Sequence, residues 1–284
     1  MSLFNEICFV LVSSFVAEQL GIKDYVLAYL DPHLQPSELL TGVSFASGAS
    51  GFDPQTTQIH AYDQLNLFKE YIGKVKGMVG EERTNYILSN SFYLVLAGSD
   101  DFANTYFTVD IRKLQYDINS YTDLVVNYAS NFVKELYQLG AKRIGLFGAA
   151  PIGCLPSQRT LAGGELRVCS EIYNQAAQLM NSKLSSAITS YNNSLNDPQA
   201  RIVYTDTYNP LLNIILNHDK YGFSIADKWC CGTGNLEVSI LCNQLTDTCS
   251  DDSVYVFWDS YHPTERGYRV LVNQILQSSL NKFF

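Results

Sequence analysis

The sequence predicts an α/β domain with a parallel sheet, and two observations support that prediction. Three short apolar segments have the composition of strands, at residues 92–97, 143–147 and 201–205. Segments with helical periodicity lie between them, and strands that alternate with helices form parallel sheets. The three segments are apolar almost throughout, which is typical of a sheet that helices cover on both faces.

The clearest helix is predicted at residues 118–139, where apolar residues recur at three- or four-residue steps and Gly140 follows. The last predicted helix begins after Pro263, with Thr264 as its N-cap. This last helix is expected at residues 264–281. Three further helices are expected at residues 61–79, 166–190 and 209–217. No repeat or linker divides the chain, so residues 1–284 are predicted to form one domain, with residues 1–14 as an atypical N-terminal segment.

The composition argues against several classes of protein. The chain has 284 residues, with 19 Lys and Arg against 28 Asp and Glu, and its formal net charge of −9 argues against a nucleic-acid partner. Hydrophobic residues make up 46% of the chain, which is enough for one large core. The apolar runs are much shorter than the roughly 20 residues that a membrane-spanning helix needs, so no integral membrane segment is expected.

The cysteines indicate an oxidising compartment. Cys8 stands alone near the start, and the other six cysteines lie at positions 154, 169, 230, 231, 242 and 249. This distribution predicts three disulfides and one odd thiol, although the sequence leaves the pairing open. A zinc site is disfavoured because the chain contains no C-x-x-C pair.

Two further features bear on secretion. Asn192 begins an Asn-Asn-Ser glycosylation acceptor, in a polar stretch that is predicted to be a surface loop. The apolar stretch at residues 7–12 resembles part of a signal peptide, but no Lys or Arg precedes it and no small-residue cleavage site follows. The alternative for this region is an ordinary core helix over residues 7–20.

Chemistry is expected where the strands end, because open parallel sheets bind ligands outside the carboxyl ends of their strands. The segments that follow the three predicted strands are AGSDDFANTYF, GAAPIGCLPS and TDTYNP. The first of them brings Gly98, Ser99, Asp100 and Asp101 into one turn with two adjacent carboxylates. The alternative is a solvated turn in which an aspartate caps the next helix.

The sharpest catalytic signal is Asp259, three residues before His262 in the segment FWDSYHPTERGY. An aspartate at this spacing can hold the Nδ1 atom of the imidazole and leave Nε2 to act as a general base. The alternative is a histidine at a helix entry with no catalytic role.

A glycine-rich loop is the second candidate element. Gly42, Gly48 and Gly51 lie in TGVSFASGASGFDP, where backbone N–H groups could point at an anion. The segment is neither a Walker motif nor a dinucleotide fingerprint. A glycine and serine turn that binds no ligand is the alternative.

These motifs, in this order, resemble the plant GDSL esterase/lipase family of the SGNH hydrolases. The matching segments are GVSFASGASG, AGSDDFANTYF, GAAPIGCLPSQRT and WDSYHP, and the likeness extends from about residue 15 to the C-terminus. It is nearest to the extracellular lipase branch. The resemblance implies a flavodoxin-like α/β/α sandwich, secretion, and hydrolysis of acyl lipids or small carboxylic esters by a serine nucleophile. A monomer is expected, and serine-type acyl transfer needs no metal or cofactor.

The resemblance also implies roles for individual residues. Asp259 and His262 match the acid and the base of the triad, and Gly48 matches a glycine that donates to the oxyanion hole. Asp100 occupies the place of an asparagine in the family's G-x-N-D block. Because an ionised carboxylate cannot donate a hydrogen bond, either Asp100 is protonated or backbone N–H groups form the hole.

The chain departs from the family in one important respect, since it contains no Gly-Asp-Ser. In the family this block follows the first strand and carries the nucleophile, so we expect a sheet that lacks its first strand. The simplest account is a truncated or alternatively started product. Ser99 is the surrogate nucleophile considered, although the family geometry assigns that place to the absent block.

Three hypotheses follow for the function of the chain. The first is a secreted ester hydrolase, with activity that depends on the absent block. The second is a catalytically inactive, truncated isoform. The third is an extracellular module that binds acyl groups or glycans, the latter through a surface rich in tyrosine, of which the chain has 19.

Overall fold

Helices and strands alternate along the chain, as predicted. The computed structural model describes residues 3–56, 61–232, 242 and 245–284. The helices are α1 (Leu3–Gln19), α2 (Ala61–Asn90), α3 (Ile118–Gln138), α4 (Pro156–Ala162), α5 (Glu171–Ser194), α6 (Tyr208–Leu216) and α7 (Glu265–Ser279). The strands are β1 (Phe92–Leu96), β2 (Arg143–Phe147), β3 (Arg201–Thr205), β4 (Ile225–Trp229) and β5 (Tyr255–Phe257).

The main sheet is parallel and has the order β1-β2-β3, with Phe92 opposite Arg143 and Arg143 opposite Arg201. The central strand β2 is buried from Ile144 to Phe147, whereas only Val95 is fully buried in β1. Within the described ranges, no strand pairs with the outer edge of β1. The three predicted strands are therefore confirmed, and β1 lies at an edge.

A second, two-stranded parallel sheet forms from β4 and β5, which the sequence analysis did not predict. The composition of β4 and the length of β5 explain why these strands could not be recognised in the sequence. Asp227 and Lys228 are exposed within β4 and break its apolar run, and β5 has only three residues. This small sheet matters because β5 leads directly into the segment that contains His262.

Helices cover both faces of the main sheet, which confirms the predicted α/β/α sandwich. On one face, α1 and α7 pack together through Val12, Phe15, Val16, Tyr268, Val272 and Leu276, against Phe92, Leu94 and Leu96 of β1. On the other face, Phe68 of α2 contacts Tyr93 of β1, with ring centroids 5.6 Å apart. Burial of each such side chain contributes roughly 1.5–3 kcal/mol, so this packing orders the helices around the sheet.

The N-terminal region is helical, which agrees with the alternative of a core helix over residues 7–20. The helix α1 ends at Gln19, and Phe15 is only 5% exposed because it lies against α7. In the described part of the chain, no helix is both long and apolar enough to cross a membrane.

Several helix boundaries differ from prediction. The helix predicted at 61–79 continues to Asn90, across a break at Gly80, whose φ of 79° suits glycine. The helix predicted at 166–190 begins later, at Glu171, because Cys169 is tied back to Cys154 by a disulfide. The N-cap prediction for Thr264 is confirmed, since its hydroxyl accepts a hydrogen bond from the N–H of Gly267 at 3.0 Å.

The surface loop predicted around Asn192 is wrong in its first part. The helix α5 continues to Ser194, so the acceptor tripeptide lies in its last turn. The side-chain oxygen of Asn192 accepts a hydrogen bond from the N–H of Ile202 at 3.1 Å, which ties the helix end to β3. The helix continues through this polar stretch, and Asn192 within it has a hydrogen-bond partner in β3.

The structure contains the three predicted disulfides and determines their pairing. Cys154 pairs with Cys169, and the vicinal residues Cys230 and Cys231 pair with Cys249 and Cys242 respectively. Two of the three bonds lie after β4. They tie the chain that follows β4 back to the small sheet beside the candidate site.

Candidate active site

The three main strands and the segment after β5 meet at one cavity of about 180 Å³. Its wall contains residues from after all three strand ends, together with the candidate base: Ser99, Asp100, Gly148, Ala150, Thr207 and His262. This location is the one that the sequence analysis predicted for a parallel sheet. The structure therefore brings His262 to the same cavity as Asp100, the first of the two adjacent aspartates after β1.

Residues 259–262 form a compact turn, which we call the triad turn. The Nδ1 atom of His262 lies 2.8 Å from Oδ2 of Asp259. The other oxygen of Asp259 accepts hydrogen bonds from the backbone N–H groups of Tyr261 and His262, at 2.8 and 2.7 Å. The aspartate thus orients the imidazole and closes the turn at the same time.

The charge state of Asp259 follows from these contacts. Its side chain is buried, and burial alone would raise its pKa. The neighbouring His262 and the two backbone N–H groups favour the carboxylate more strongly, so the pKa of Asp259 falls below its ordinary value. A buried carboxylate that stays ionised is what a base-orienting residue requires.

The fold holds the triad turn from both sides. Within the turn, the carbonyl of His262 accepts a hydrogen bond from the N–H of Trp258 at 2.8 Å, and the carbonyl of Ser260 accepts one from Ser157 at 3.0 Å. After the turn, Thr264 donates its N–H to Val256 at 2.9 Å and caps α7. The turn is consequently fixed between β5 and α7.

Residues 98–101 form a second turn, the strand-end turn, directly after β1. Gly98 has a φ of 104°, and a Cβ atom there would lie 2.5 Å from Cε of Met180, so both the conformation and the space suit glycine. The hydroxyl of Ser99 accepts a hydrogen bond from the N–H of Ala150 at 3.2 Å. The turn leads into a π-helix, Asp101–Tyr106.

The carboxylate of Asp100 is linked to the triad turn through two residues. Its Oδ1 atom accepts a hydrogen bond from Nδ2 of Asn104 at 2.6 Å, and Oδ1 of Asn104 accepts one from the hydroxyl of Tyr261 at 2.8 Å. Burial raises the pKa of Asp100 to about 6, with His262 lowering it and Asp259 raising it. Asp100 and Asn104 are four residues apart on one helical face, the spacing that could have revealed the pair.

The neighbouring carboxylate, Asp101, has a different environment. It accepts hydrogen bonds from the N–H groups of Phe52 and Asp53, at 2.9 and 3.0 Å, and from the hydroxyl of Thr56. Burial raises its pKa to about 7 although these donors act in the opposite direction. Asp101 is fully buried, so the alternative of a solvated turn is wrong: this side chain fastens the glycine-rich loop to the end of β1.

A buried ion pair between Arg112 and Asp53 supports the same loop. Arg112 contacts both oxygens of Asp53, at 2.6 and 2.7 Å, and the hydroxyl of Tyr121 donates to Asp53 at 3.1 Å. Asp53 is fully buried, and these contacts favour its carboxylate, so its pKa is lowered despite burial. Because 59 residues separate its members, this pair could not be predicted from the sequence.

The glycine-rich loop reaches the cavity through Ala49 and Ser50. Gly48 is half-buried, between the buried Ser47 and the exposed Ala49. Ala49 has a φ of 59°, a left-handed conformation that a residue with a Cβ atom rarely adopts. The loop therefore contributes Ala49 and Ser50, but not Gly48, to the wall of the cavity that contains His262.

Two of the other three histidines lie elsewhere in the described structure. His33 is exposed in the segment before the glycine-rich loop. The Nδ1 atom of His218 lies 3.0 Å from the carbonyl oxygen of Phe223, near the end of α6. His60 lies outside the described residues.

Comparison with known proteins agrees with this geometry. The family model for GDSL-like lipases/acylhydrolases matches residues 5–275. The chain belongs to this family. The resemblance inferred from the ordered motifs is therefore confirmed, as is the fold class that it implied.

Relatives within the GDSL family include several from Arabidopsis thaliana. GDSL esterase/lipase EXL3 is 53% identical over 273 residues, which cover 94% of this chain and 74% of the relative. GDSL esterase/lipase EXL2 is 45% identical over 283 residues, with 93% and 74% covered. GDSL esterase/lipase At3g14820 is 47% identical over 269 residues, with 93% and 75% covered. The match to the family model, over residues 5–275, includes the whole candidate site.

Proposed function

We propose that this GDSL family member contributes the base, its orienting acid and the oxyanion-binding backbone of a site that hydrolyses carboxylic esters. The observation that carries the proposal is the 2.8 Å contact between Nδ1 of His262 and Oδ2 of Asp259, beside a cavity at the strand ends. A donor bond from Nδ1 to Asp259 leaves the basic lone pair on Nε2.

The proposed reaction is a serine-type acyl transfer. The hydroxyl of the nucleophilic serine attacks the ester carbonyl carbon while Nε2 of His262 takes its proton. The C–O bond to the alcohol then breaks, and His262 returns the proton to the leaving alcohol. Water enters by the reverse sequence, releases the carboxylic acid and regenerates the serine.

The negative oxygen of the tetrahedral intermediate needs donors. Asp100 has a pKa raised to about 6, so it is mostly ionised at pH 7 to 8 and cannot donate there. We therefore assign the oxyanion to backbone N–H groups of residues 48–50 in the glycine-rich loop. In this proposal Asp100 acts indirectly, by holding Asn104 at 2.6 Å.

The nucleophile is the part of the triad that these 284 residues do not provide in the family's form, since they contain no Gly-Asp-Ser. Ser99 lines the same cavity as His262, but its hydroxyl is engaged with the N–H of Ala150. We propose that the serine belongs to a strand-and-turn block like that of the relatives, and that Ser99 is a structural residue.

The walls of the cavity support an acyl substrate. They are mostly aliphatic and aromatic, and include Leu96, Phe147, Leu155, Leu211, Leu271 and Ile275. Such walls would bind the hydrocarbon part of an ester while the polar residues lie at the carbonyl group. We propose acyl lipids or small apolar esters as substrates, in keeping with the names of the relatives.

Release of p-nitrophenol from short-chain esters tests the proposal. The protein for this assay is the chain with a strand and Gly-Asp-Ser block restored upstream of it. His262→Ala should lower kcat/KM by about 10³-fold or more. His33→Ala, at an exposed histidine outside the cavity, should leave the rate unchanged. An unchanged rate in His262→Ala would remove this residue from the mechanism.

A second candidate function is acyl binding without hydrolysis by the 284-residue chain alone. The absence of Gly-Asp-Ser together with the apolar cavity favours it. Treatment of the purified chain with a fluorophosphonate, followed by intact-mass analysis, separates the two candidates. An adduct that His262→Ala abolishes would point to a serine such as Ser99 as nucleophile. No adduct on a folded sample, with saturable binding of a fatty acid, would favour acyl binding.

We also propose that the protein works outside the cytoplasm. The three disulfides support this location, because such bonds persist in oxidising compartments. Thiol alkylation of protein recovered from the extracellular fraction, followed by mass analysis, would test it. Six unmodified cysteines are expected, and six alkylated ones would contradict the proposal.

A further inference from the structure

A cavity of about 300 Å³ lies between α5 and the segment in which β3 ends and α6 begins. On the side of α5 it is lined by Gln178, Asn181, Ser182 and Ser185. These residues are three or four positions apart along the helix, so they form one face of it. The volume is within the range of pockets that hold a small ligand.

The opposite side of this cavity is lined by Tyr204, Asp206, Tyr208 and Asn209. Every side chain that lines the cavity therefore carries a hydrogen-bonding group, and none of them is aliphatic. We call this cavity the polar pocket. The walls of the active-site cavity are mostly apolar, so the two cavities suit ligands of different chemistry.

Several side chains of the polar pocket are held in place by their neighbours. The Nε2 atom of Gln178 donates a hydrogen bond to the hydroxyl of Tyr208 at 3.0 Å. The amide of Asn181 accepts a hydrogen bond from the N–H of Ala149 at 2.7 Å and donates one to the carbonyl of the same residue at 2.9 Å. Groups that are already ordered lose little freedom when a ligand binds, so this arrangement favours binding.

Other groups of the polar pocket are available to a ligand. Within the residues that the structure describes, the side-chain hydroxyls of Ser182, Ser185 and Tyr204 make no hydrogen bond. Burial raises the pKa of Tyr204, so its hydroxyl keeps its proton and can donate. Each hydroxyl offers one donor and two acceptor positions. The pocket can therefore both donate to a ligand and accept from it.

Asp206 determines which charge the ligand can carry. Its two side-chain oxygens accept hydrogen bonds from the backbone N–H and from Nδ2 of Asn209, at 3.2 and 2.6 Å. An ionised carboxylate has about four acceptor positions, so both oxygens can accept further bonds. Asp206 is the only charged residue among the described residues that line the pocket. The pocket therefore favours ligands with donors and repels anions.

We infer that the polar pocket binds a neutral saccharide. Adjacent hydroxyls of a sugar ring can donate to the carboxylate of Asp206 and exchange hydrogen bonds with Tyr204 and with the two serines of α5. The ring of a tyrosine offers a flat apolar surface to the C–H groups of the sugar. A phosphate or a uronic acid would be repelled by Asp206, and a hydrocarbon chain would leave the polar groups without partners.

The polar pocket is a neighbour of the active-site cavity but is separate from it. Asn181 lines the pocket and binds the backbone of Ala149, whose two neighbours, Gly148 and Ala150, line the cavity that contains His262. A saccharide in the pocket would thus lie beside the cavity without occupying it. Its binding should need neither the nucleophile nor the base of the proposed reaction.

Saturation-transfer NMR of the intact 284-residue chain tests the inference. The probes are the methyl glycosides of glucose, galactose and mannose, which differ in configuration at two ring carbons. We expect saturable binding of at least one of them, with a Kd in the millimolar range. Tyr204→Phe should raise this Kd by about fivefold and Asp206→Asn by about tenfold. Tyr86→Phe, at an exposed tyrosine of α2, is the matched control and should leave the Kd unchanged.

Ser182→Ala provides a variant whose folding is not in question, because it lies at an exposed helical position that alanine favours. It should raise the Kd of the bound glycoside by about threefold. Ser186→Ala, one turn further along α5 and outside the pocket, should not change it. Equal Kd values in Ser182→Ala, Tyr204→Phe and the parent would place the saccharide elsewhere and overturn the inference.

Two further measurements test the charge and the position of the site. Glucuronic acid should bind about tenfold or more weakly than the neutral glycoside, and Asp206→Asn should reduce this difference. His262→Ala should bind the glycoside like the parent, because His262 belongs to the other cavity. Absence of saturable binding with all three glycosides, or its loss in His262→Ala, would overturn the polar pocket. None of these results depends on whether the restored chain hydrolyses esters.

Discussion

The triad turn and the strand-end turn lie at the same cavity and both contain aspartate, but the pKa values of these aspartates shift in opposite directions. Asp259 is buried with an imidazole and two backbone N–H groups, and its pKa is lowered. Asp100 and Asp101 are held in the other turn, where burial outweighs their donors and raises their pKa values to about 6 and about 7. All three residues are aspartates, so the different directions of their pKa shifts come from their neighbours.

This difference separates the roles of the two turns. An aspartate that remains ionised can orient a histidine and stabilise the imidazolium that forms during proton transfer. Among the described residues, Asp101 has no such partner cation, and its carboxyl oxygens accept hydrogen bonds from two backbone N–H groups of the glycine-rich loop. Environments that push like groups apart in pKa are a common mark of acid and base assignments.

The largest expected effect is at the triad turn. In the chain with a Gly-Asp-Ser block restored, Asp259→Asn should lower kcat/KM for p-nitrophenyl esters by about 10³- to 10⁴-fold. The reason is that the amide would donate to Nδ1 of His262, which then places the proton on Nε2. Asp251→Asn is the matched control, since this exposed aspartate accepts a local backbone bond from Ser253 at 3.0 Å. An equal loss of kcat/KM in both variants would contradict a specific role of Asp259 in orienting His262.

The next effect concerns Asp101, and it should appear in stability. Asp101→Asn replaces one acceptor oxygen by a donor, so a buried N–H of Phe52 or Asp53 loses its partner. The free energy of unfolding should fall by about 2–3 kcal/mol, measured by urea denaturation. Asp110→Asn, at an exposed aspartate with a φ of 60° that asparagine tolerates, should change it by less than about 0.5 kcal/mol.

Replacement of Asp100 should raise the free energy of unfolding at high pH, whereas replacement of Asp101 should lower it. Because the pKa of Asp100 is raised to about 6 in the folded protein from 3.8, its contribution to stability is present below pH 3.8 and is lost as the pH rises through 6. Asp100→Asn keeps an oxygen for Asn104 and removes this loss. The variant should be more stable than the parent by about 1–2 kcal/mol at pH 8 and equal to it near pH 4. A difference that does not change between these two pH values would contradict the assignment.

The smallest effect is expected in the loop beside the strand-end turn. Ala49 has a φ of 59°, which costs a residue with a Cβ atom about 1–2 kcal/mol, partly offset by the greater freedom of glycine in the unfolded chain. Ala49→Gly should therefore raise the free energy of unfolding by about 0.5–1 kcal/mol. Ala46→Gly, in the same loop but without a positive φ, should lower it. Thermal denaturation of both variants distinguishes them.

The same comparison explains what the sequence could predict. The triad turn is local: Asp259 and His262 are three residues apart, and the N-cap Thr264 follows at once. Its spacing therefore revealed its geometry. The main strands were also predictable, because their apolar runs are continuous.

The strand-end turn could not be predicted in the same way, because its contacts are non-local. Asp101 finds its donors 48 and 49 residues earlier in the chain, in the glycine-rich loop. The link from Tyr261 to Asn104 spans 157 residues. Composition shows two adjacent carboxylates but not which backbone groups meet them, so their burial and their raised pKa values appear only in the folded structure.

The placement of the triad turn after β5 has a consequence for the order of biosynthesis. The strands β1, β2 and β3 have all been made once Thr205 has been added, but His262 and the α7 wall of the cavity come near the end of the chain. Until then, the growing protein exposes the apolar face that α7 later covers, a state that favours aggregation. Damage to the last helix should consequently appear as failed maturation and low yield, before any defect in turnover can be observed.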